Sequence, residues 1–172
     1  SEDVFSSIKC LKKLGIKIKK MSKGNYLVYG KGLGSLIAKK NTTLDFGNSG
    51  TLARLLIGIL STTPNIKLKI TGDKSLKKRN MLKLIELMNK FGANFKNKRP
   101  FLPMNIISSS MPLGIDYQAG ISAQLKSAVI LAGLNSYGNT EILETKKSRN
   151  HTENMLLKNK SVIKIKKGKV NL

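Results

Sequence analysis

A run of small and polar residues, Gly47-Asn48-Ser49-Gly50-Thr51, is followed closely by Arg54. Asparagine, serine and threonine are helix-capping residues, and glycine lets the backbone approach a ligand closely. The start of a helix carries unpaired N–H groups and the positive end of the helix dipole, so it suits an anion. Arg54 lies one turn into the predicted helix, where it can bind a phosphate or carboxylate through two hydrogen bonds. An ordinary capped helix is the alternative, and the local pattern alone favours it.

Arginine is rare in this chain, which makes its positions informative. Of 32 basic residues only four are arginines, namely Arg54, Arg79, Arg99 and Arg149. Because lysine is used almost everywhere else, an arginine indicates a need for planar, two-pronged hydrogen bonding. Arg79 ends the run Lys77-Lys78-Arg79 at a predicted helix start, where positive charge opposes the helix dipole. A bound anion would relieve that repulsion, and a solvated helix start is the alternative.

The opening pattern returns later in the chain. A strand-like run at 115–119 leads into Gly120-Ile121-Ser122-Ala123-Gln124 and then into an apolar run at 125–134. Both copies have the order strand, polar helix start, apolar helix, turn and strand, which predicts an internal repeat. Two such helix starts at the same end of a sheet would direct their N–H groups into one cleft.

Hydrophobic periodicity predicts the elements that position these residues. We expect helices from the cap Ser1 to about residue 14, at 50–61, at 81–91, at 125–134, and from a cap at Asn150 or Thr152. We expect strands in a hairpin at 16–19 and 26–29, at 44–46, 66–70, within 94–105, at 115–119 and 140–144, and in a hairpin at 161–170 that turns near Gly168. The helices at 52–60 and 125–134 are apolar on nearly all sides, which predicts burial between layers.

The charge balance raises the question of a nucleic-acid partner. The formal net charge is +23 and the isoelectric point is near 10.3. However, the lysines are scattered over many elements, and aromatic residues make up only 5%, so no aromatic–basic surface suited to base stacking is predicted. We rank compositional drift with solvated faces first, small anionic substrates second and nucleic acid third.

Cysteine and histidine usage excludes several classes of site. The chain has one cysteine, Cys10, and one histidine, His151, so neither an internal disulfide nor a structural metal site built by them alone is expected. No apolar run approaches the roughly 18 residues of a membrane span, and the acidic start Ser1-Glu2-Asp3 is unlike a signal peptide. We expect a reducing, cytoplasmic environment, no membrane partner and no cofactor.

Four sequence blocks, taken in order, resemble 5-enolpyruvylshikimate-3-phosphate synthase. They are Gly47-Asn48-Ser49-Gly50-Thr51 with Arg54, Gly72-Asp73-Lys74-Ser75-Leu76-Lys77-Lys78-Arg79, Ser122-Ala123-Gln124-Leu125-Lys126-Ser127-Ala128, and Ser148-Arg149-Asn150-His151-Thr152-Glu153. The resemblance runs nearly end to end. It implies an α+β fold in which residues 1–172 form most of one lobe of an inside-out α/β barrel, with buried helices and outer sheets in βαββαβ units.

The resemblance also implies a reaction and a set of binding residues. The family transfers the enolpyruvyl group of phosphoenolpyruvate to the 5-hydroxyl of shikimate 3-phosphate and releases phosphate, through a tetrahedral intermediate. The residues implied to bind phosphoenolpyruvate are Asn48, Gly50, Thr51 and Arg79, with Arg54 in support. Those implied to bind shikimate 3-phosphate are Ser122, Ala123, Gln124, Ser148 and Arg149. Lys126 is expected at the surface or behind the site, and His151 is expected to be structural.

Several features depart from the family pattern. Asn80 replaces a usual proline, Asn150 replaces a usual aspartate, and Ala123 replaces a second serine of some members, which removes a phosphate donor. The basic residues expected upstream and the acid–base residues expected from a second lobe are absent from this sequence. General acid–base catalysis needs a positioned group of suitable pKa. We therefore assign no catalytic residue or metal ligand, and expect a fragment with half of the binding site, inactive without the second lobe.

Two alternative functions remain open. A lobe similar to UDP-N-acetylglucosamine enolpyruvyl transferase would have the same fold, although the block at Ser148–Glu153 argues against it. A basic nucleic-acid-binding module would instead show affinity that falls steeply with salt.

Overall fold

The structure is a computed structural model that describes residues 1–97, 99–158, 162–166 and 168–172. Helix α1 spans Glu2–Lys13 and ends before Gly15, whose φ of 86° only glycine adopts easily. Ser1 occupies the N-cap position as predicted, but its side chain makes no capping hydrogen bond. Strands β1 (Lys17–Lys20) and β2 (Tyr26–Tyr29) then pair in the predicted antiparallel hairpin.

A first six-element unit follows. It consists of β3 (Thr43–Asp45), α2 (Gly50–Thr62), β4 (Lys67–Thr71), α3 (Leu82–Lys90), β5 (Asn94–Lys96) and β6 (Met104–Ile107). The sheet order is β3-β4-β6-β5, in which β3 and β4 are parallel and the other neighbours antiparallel. A parallel pair requires a crossover connection, which α2 provides.

A second unit repeats the first and confirms the predicted internal repeat. It consists of β7 (Asp116–Ala119), α4 (Ala123–Gly133), β8 (Glu141–Glu144), α5 (His151–Leu156), β9 (Lys164–Lys166) and β10 (Lys169–Asn171). The sheet order is β7-β8-β10-β9, again with one parallel pair. The C-terminal hairpin turns at Gly168 as predicted, whereas Ser161 and Lys167 of that prediction lie outside the described residues.

Two details of the predicted architecture are wrong. Each unit has the order β-α-β-α-β-β and not βαββαβ, because α3 and α5 separate the parallel pair from the hairpin. The apolar stripe of α3, which includes the buried Leu84 and Met88, requires a full helix at that point. In addition, Arg79 does not open α3. It follows a short 3₁₀ turn at Leu76–Lys78, and Asn80 Oδ1 accepts a hydrogen bond from the backbone N–H of Leu82 at 2.7 Å.

The core lies between helices and sheets, which confirms the predicted α+β fold with buried helices. Ala128, Val129 and Ile130 of α4 are fully buried. In β4 buried and exposed residues alternate, so the sheet that contains β4 keeps one wet face. Gly58 of α2 packs directly against the backbone of Ala128. None of the helices within the described ranges is long and apolar enough to cross a membrane.

Candidate functional site

The two repeated helices begin in the same way. The backbone leaves β3 through Gly47, which has φ +59°, and the N-cap residue Ser49 accepts a hydrogen bond from Leu52 N at 3.2 Å. Helix α4 has the matching cap, because Ser122 Oγ accepts from Leu125 N at 3.4 Å. Each cap satisfies one N–H of its helix start and leaves others free for a ligand.

The helix starts lie side by side, as the repeat predicted. Gln124 Nε2 donates a hydrogen bond to Thr51 Oγ1 at 2.9 Å, across 73 residues of sequence. The helix ends are also adjacent, because Asn135 Nδ2 donates to the carbonyl oxygen of Thr62 across the same separation. Helices α2 and α4 are therefore parallel, and the positive ends of their dipoles point the same way.

Two arginines converge on Gly50, at the first turn of α2. Arg54 Nη1 donates to the carbonyl oxygen of Gly50 at 3.0 Å. A Cβ on residue 50 would collide with Arg79 Nη1 and lie 2.9 Å from Arg54 Nη1. Burial lowers the pKa of Arg54, and the positive charge of Arg79 lowers it further. Because neither guanidinium has an ion pair with a described residue, this position is one where an anion would relieve repulsion.

A second group of predicted residues surrounds an open pocket of about 640 Å³. Its lining consists of Ile121, Ser122, Ala123, Gln124, Lys147, Ser148 and Arg149. This lining contains two cations and no carboxylate, so the pocket suits an anionic ligand. A smaller pocket of about 150 Å³ shares Gln124 and Arg149 with it and extends to Thr51 and His151.

Nearly all of the predicted site residues thus lie along one edge of the molecule. Arg54 and Ser122 also line an adjoining pocket of about 400 Å³, which connects Arg54 to the larger pocket through Ser122. Asn48 is exposed, precedes the N-cap, and makes no side-chain hydrogen bond within the described part of the chain. A separate groove of about 730 Å³, lined by several lysines including Lys67 and Lys69, contains none of the predicted site residues.

Of the two positions expected for Lys126, at the surface or behind the site, the structure gives the buried one. The Lys126 side chain is 0% exposed, so it is not a surface residue. Its Nζ lies 2.7 Å from Glu144 Oε1 and 2.5 Å from Glu153 Oε1. Burial alone would lower the pKa of Lys126, but its hydrogen bonds to the two carboxylates outweigh burial and raise it. A lysine within an otherwise apolar helix is a sequence signal that it needs partners, and the two carboxylates supply them.

No group of three or more histidine, cysteine, aspartate or glutamate side chains in the described ranges could hold a metal ion. His151 is exposed at the start of α5. It contributes to the smaller pocket and forms no ion pair with a carboxylate of the described residues.

Comparison with known proteins gives a consistent result. The sequence profile of the EPSP synthase family (3-phosphoshikimate 1-carboxyvinyltransferase) matches residues 1–171. Enzymes named 3-phosphoshikimate 1-carboxyvinyltransferase from Bacillus subtilis and Paramagnetospirillum magneticum are 41% and 38% identical over 157 residues. These matches cover 90% of this chain but only 36% and 35% of those proteins, so the chain spans about a third of their length.

Solved structures give the same picture for the fold. An EPSP synthase from Acinetobacter baumannii superposes with a TM-score of 0.90 at 32% identity, covering 100% of this chain and 39% of that one. An enolpyruvyl transferase from Streptomyces tendae superposes with a TM-score of 0.53 at 15% identity, covering 95% of this chain and 38% of that one. The latter similarity concerns the fold alone.

Proposed function

The chain belongs to the EPSP synthase family, and from this premise we propose that it supplies part of the site of an enolpyruvyl transferase. In the proposed reaction, the 5-hydroxyl oxygen of shikimate 3-phosphate loses its proton and bonds to C2 of phosphoenolpyruvate, while the C2–C3 double bond opens and C3 takes up a proton, giving a tetrahedral intermediate. The C2–O bond to phosphate then breaks, inorganic phosphate leaves, and loss of a proton from C3 restores the C2–C3 double bond. Residues 1–172 would form a single lobe, with a second lobe as the partner that supplies proton transfer, and without it the chain would be inactive.

One observation carries the proposal. The hydrogen bond from Gln124 to Thr51 joins the two helix starts, beside Arg54 and Arg79 at Gly50 and Arg149 in the smaller pocket, and no ion pair joins these arginines to a described residue. Phosphoenolpyruvate would lie by Asn48, Gly50 and Thr51 and pair with Arg79, while Arg54 supports the Gly50 turn through its 3.0 Å hydrogen bond. The absence of a side chain at Gly50 leaves room for both guanidinium groups beside the first turn of α2, which supports an anionic ligand held by them there.

Shikimate 3-phosphate would occupy the neighbouring 640 Å³ pocket. Ser122 and Ser148 would offer hydroxyl or backbone donors to the phosphate, Gln124 would orient the ring hydroxyls, and Arg149 would pair with the phosphate through two hydrogen bonds. Ala123 contributes only its backbone. This chain would hold the two anions next to each other, beside the aligned helix dipoles and the arginines. Such positioning and charge stabilisation lower the barrier to transfer.

Calorimetric titration with shikimate 3-phosphate, at moderate salt, tests this function. We expect saturable binding that unphosphorylated shikimate does not reproduce. Arg149→Ala is expected to weaken binding about ten- to hundredfold, the range for a lost hydrogen bond to a charged group. Arg99→Ala is the matched control, since the exposed Arg99 lines none of the pockets described above. Equal affinity of Arg149→Ala and the parent would contradict the site assignment.

The same titration separates the alternatives. Binding of UDP-N-acetylglucosamine, with no binding of shikimate 3-phosphate, would indicate the sister transferase. Binding to any nucleic acid with a steep salt dependence, and to neither small molecule, would indicate a basic module. We also propose a cytoplasmic location, supported by Cys10, a buried free thiol.

A further inference from the structure

A buried ionic cluster lies directly behind the larger pocket. Lys126 on α4 is enclosed between Glu144 at the end of β8 and Glu153 in the first turn of α5. The side chains of Lys126 and Glu153 are 0% and 3% exposed, and that of Glu144 is 17% exposed. The three residues therefore join a helix, a strand and a second helix at one point.

Glu144 connects this cluster to the pocket wall. Its Oε1 accepts hydrogen bonds from Ser148 N at 3.2 Å and Ser148 Oγ at 3.1 Å, besides the one from Lys126. Ser148 and the adjacent Arg149 both line the pocket. One carboxylate oxygen thus ties the turn that carries Arg149 to the buried ammonium group. A further hydrogen bond, from Thr152 Oγ1 to Ser127 Oγ at 2.7 Å, fixes the start of α5 to α4.

The cluster is a poor device for stability alone. It buries one positive and two negative charges, and Glu153 Oε2 is buried without a hydrogen-bond partner among the described residues. Removing charges from water costs free energy, and well-packed apolar side chains in the same place often give a protein that is as stable or more stable. Buried ion pairs are therefore weak evidence for stability. Their better-attested use is to fix one arrangement among several.

We propose that Lys126 is a positioning residue for the phosphate pocket. By fixing the Glu144 carboxylate, it holds the 145–149 turn so that Ser148 and Arg149 face a phosphorylated ligand. The role assigned to the pocket rests on the proposed function, whereas the control of the turn by Lys126 does not. Arginine would not replace lysine at this position, because a planar guanidinium is larger than the compact ammonium group that both carboxylates surround.

Two measurements on the full chain test the proposal. The first is the hydrogen-exchange rate of the Ser148 amide by NMR, which needs no ligand. The second is the affinity for shikimate 3-phosphate. The variant is Lys126→Met, and the matched control is Lys169→Met, which removes a lysine paired with Glu141 on the surface. If Lys126→Met does not fold, the combination Lys126→Met and Glu153→Gln takes its place, because it removes the second buried carboxylate and keeps the Glu144 carboxylate that Ser148 contacts.

We expect hydrogen exchange of the Ser148 amide to accelerate about tenfold in the folded Lys126 variant. The affinity for shikimate 3-phosphate should fall by a similar factor, which is the size expected when a hydrogen bond to a charged group is weakened. Lys126→Arg should not restore either value, and Lys169→Met should change neither. Parental exchange and affinity in a folded Lys126 variant, or failure of both variants to fold, would reduce the cluster to a stability element. The parent protein could also fail to bind shikimate 3-phosphate while Ser148 exchange still depends on Lys126. That result would contradict the proposed function and leave the positioning role of Lys126 intact.

Discussion

Replacing Gly58 with alanine tests the contact on which the site depends. Gly58 lies in the middle of α2, where α2 packs against α4. A Cβ added there would lie 2.5 Å from the carbonyl oxygen of Ala128 and 3.0 Å from its Cα, whereas ordinary contact begins at 3.4 Å. The colliding atoms belong to the backbone and cannot rotate away. The two helices must therefore separate by up to about 0.9 Å, or bend.

The expected cost follows from two opposing effects. Overpacking a well-packed core costs about 1–3 kcal/mol. We take the upper value, about 3 kcal/mol, because the collision at Gly58 is with backbone atoms. Alanine has the better helix propensity, which returns about 1 kcal/mol relative to glycine. The net loss is therefore about 2 kcal/mol. For a chain of this length, each kcal/mol lowers Tm by about 2–4 °C, so we expect Gly58→Ala to melt about 4–8 °C below the parent.

Thermal unfolding followed by circular dichroism at 222 nm measures this difference. Gly30→Ala is the control, because Gly30 has no positive φ and a Cβ there would meet nothing within 4 Å. A Gly58→Ala protein with a Tm equal to or above that of the parent would refute the reasoning. The backbone would then have relaxed the collision, and the gain in helix propensity would outweigh what remains of it. Because the same packing aligns Thr51 with Gln124, affinity for shikimate 3-phosphate should fall as well.

Three further predictions concern single side chains. Burial would raise the pKa of Glu144, but hydrogen bonds, first that from Lys126, outweigh burial and hold it below the usual 4.5. Stability is therefore lost as the pH falls below about 4.5, and Glu144→Gln should lose less in acid urea titrations. Burial raises the pKa of the Cys10 thiol to about 11, so iodoacetamide at pH 8 should label it only as fast as the protein unfolds; prompt labelling of native protein would contradict this. Ser49→Ala removes the capping hydrogen bond to Leu52 N and should cost about 1 kcal/mol, seen as a Tm about 2–4 °C lower.

Elements with strong local signals were predictable from the sequence. The apolar runs of α2 and α4 indicated burial because no exposed face could be drawn on them, and Ala128, Val129 and Ile130 are fully buried. The alternation of apolar and polar residues along β4 indicated one wet face, because successive side chains of a strand point to opposite sides of the sheet. Both helix starts were predictable because a capping serine followed by apolar residues is a local pattern.

Features that depend on distant partners were not predictable in this way. A lysine is usually solvated, so the sequence left Lys126 either at the surface or behind the site, and its partners lie on β8 and α5. The helix expected at 81–91 begins at Leu82, but the 3₁₀ turn at Leu76–Lys78 before Arg79 was not predicted, because the Lys77-Lys78-Arg79 run continues the helical pattern. The contact between Thr51 and Gln124 spans 73 residues, and only the repeat suggested it.

The hairpin of β1 and β2 has a consequence for association. Several sheet edges carry lysines that discourage another chain from adding a strand: Lys17, Lys19 and Lys20 on β1, Lys96 on β5, and Lys164 and Lys166 on β9. Strand β2 has no charged residue, exposes Leu27, Val28 and Tyr29, and pairs only with β1 among the strands in the described ranges. Intermolecular strand addition at high protein concentration should therefore begin at β2, and a single lysine at position 28 would protect that edge.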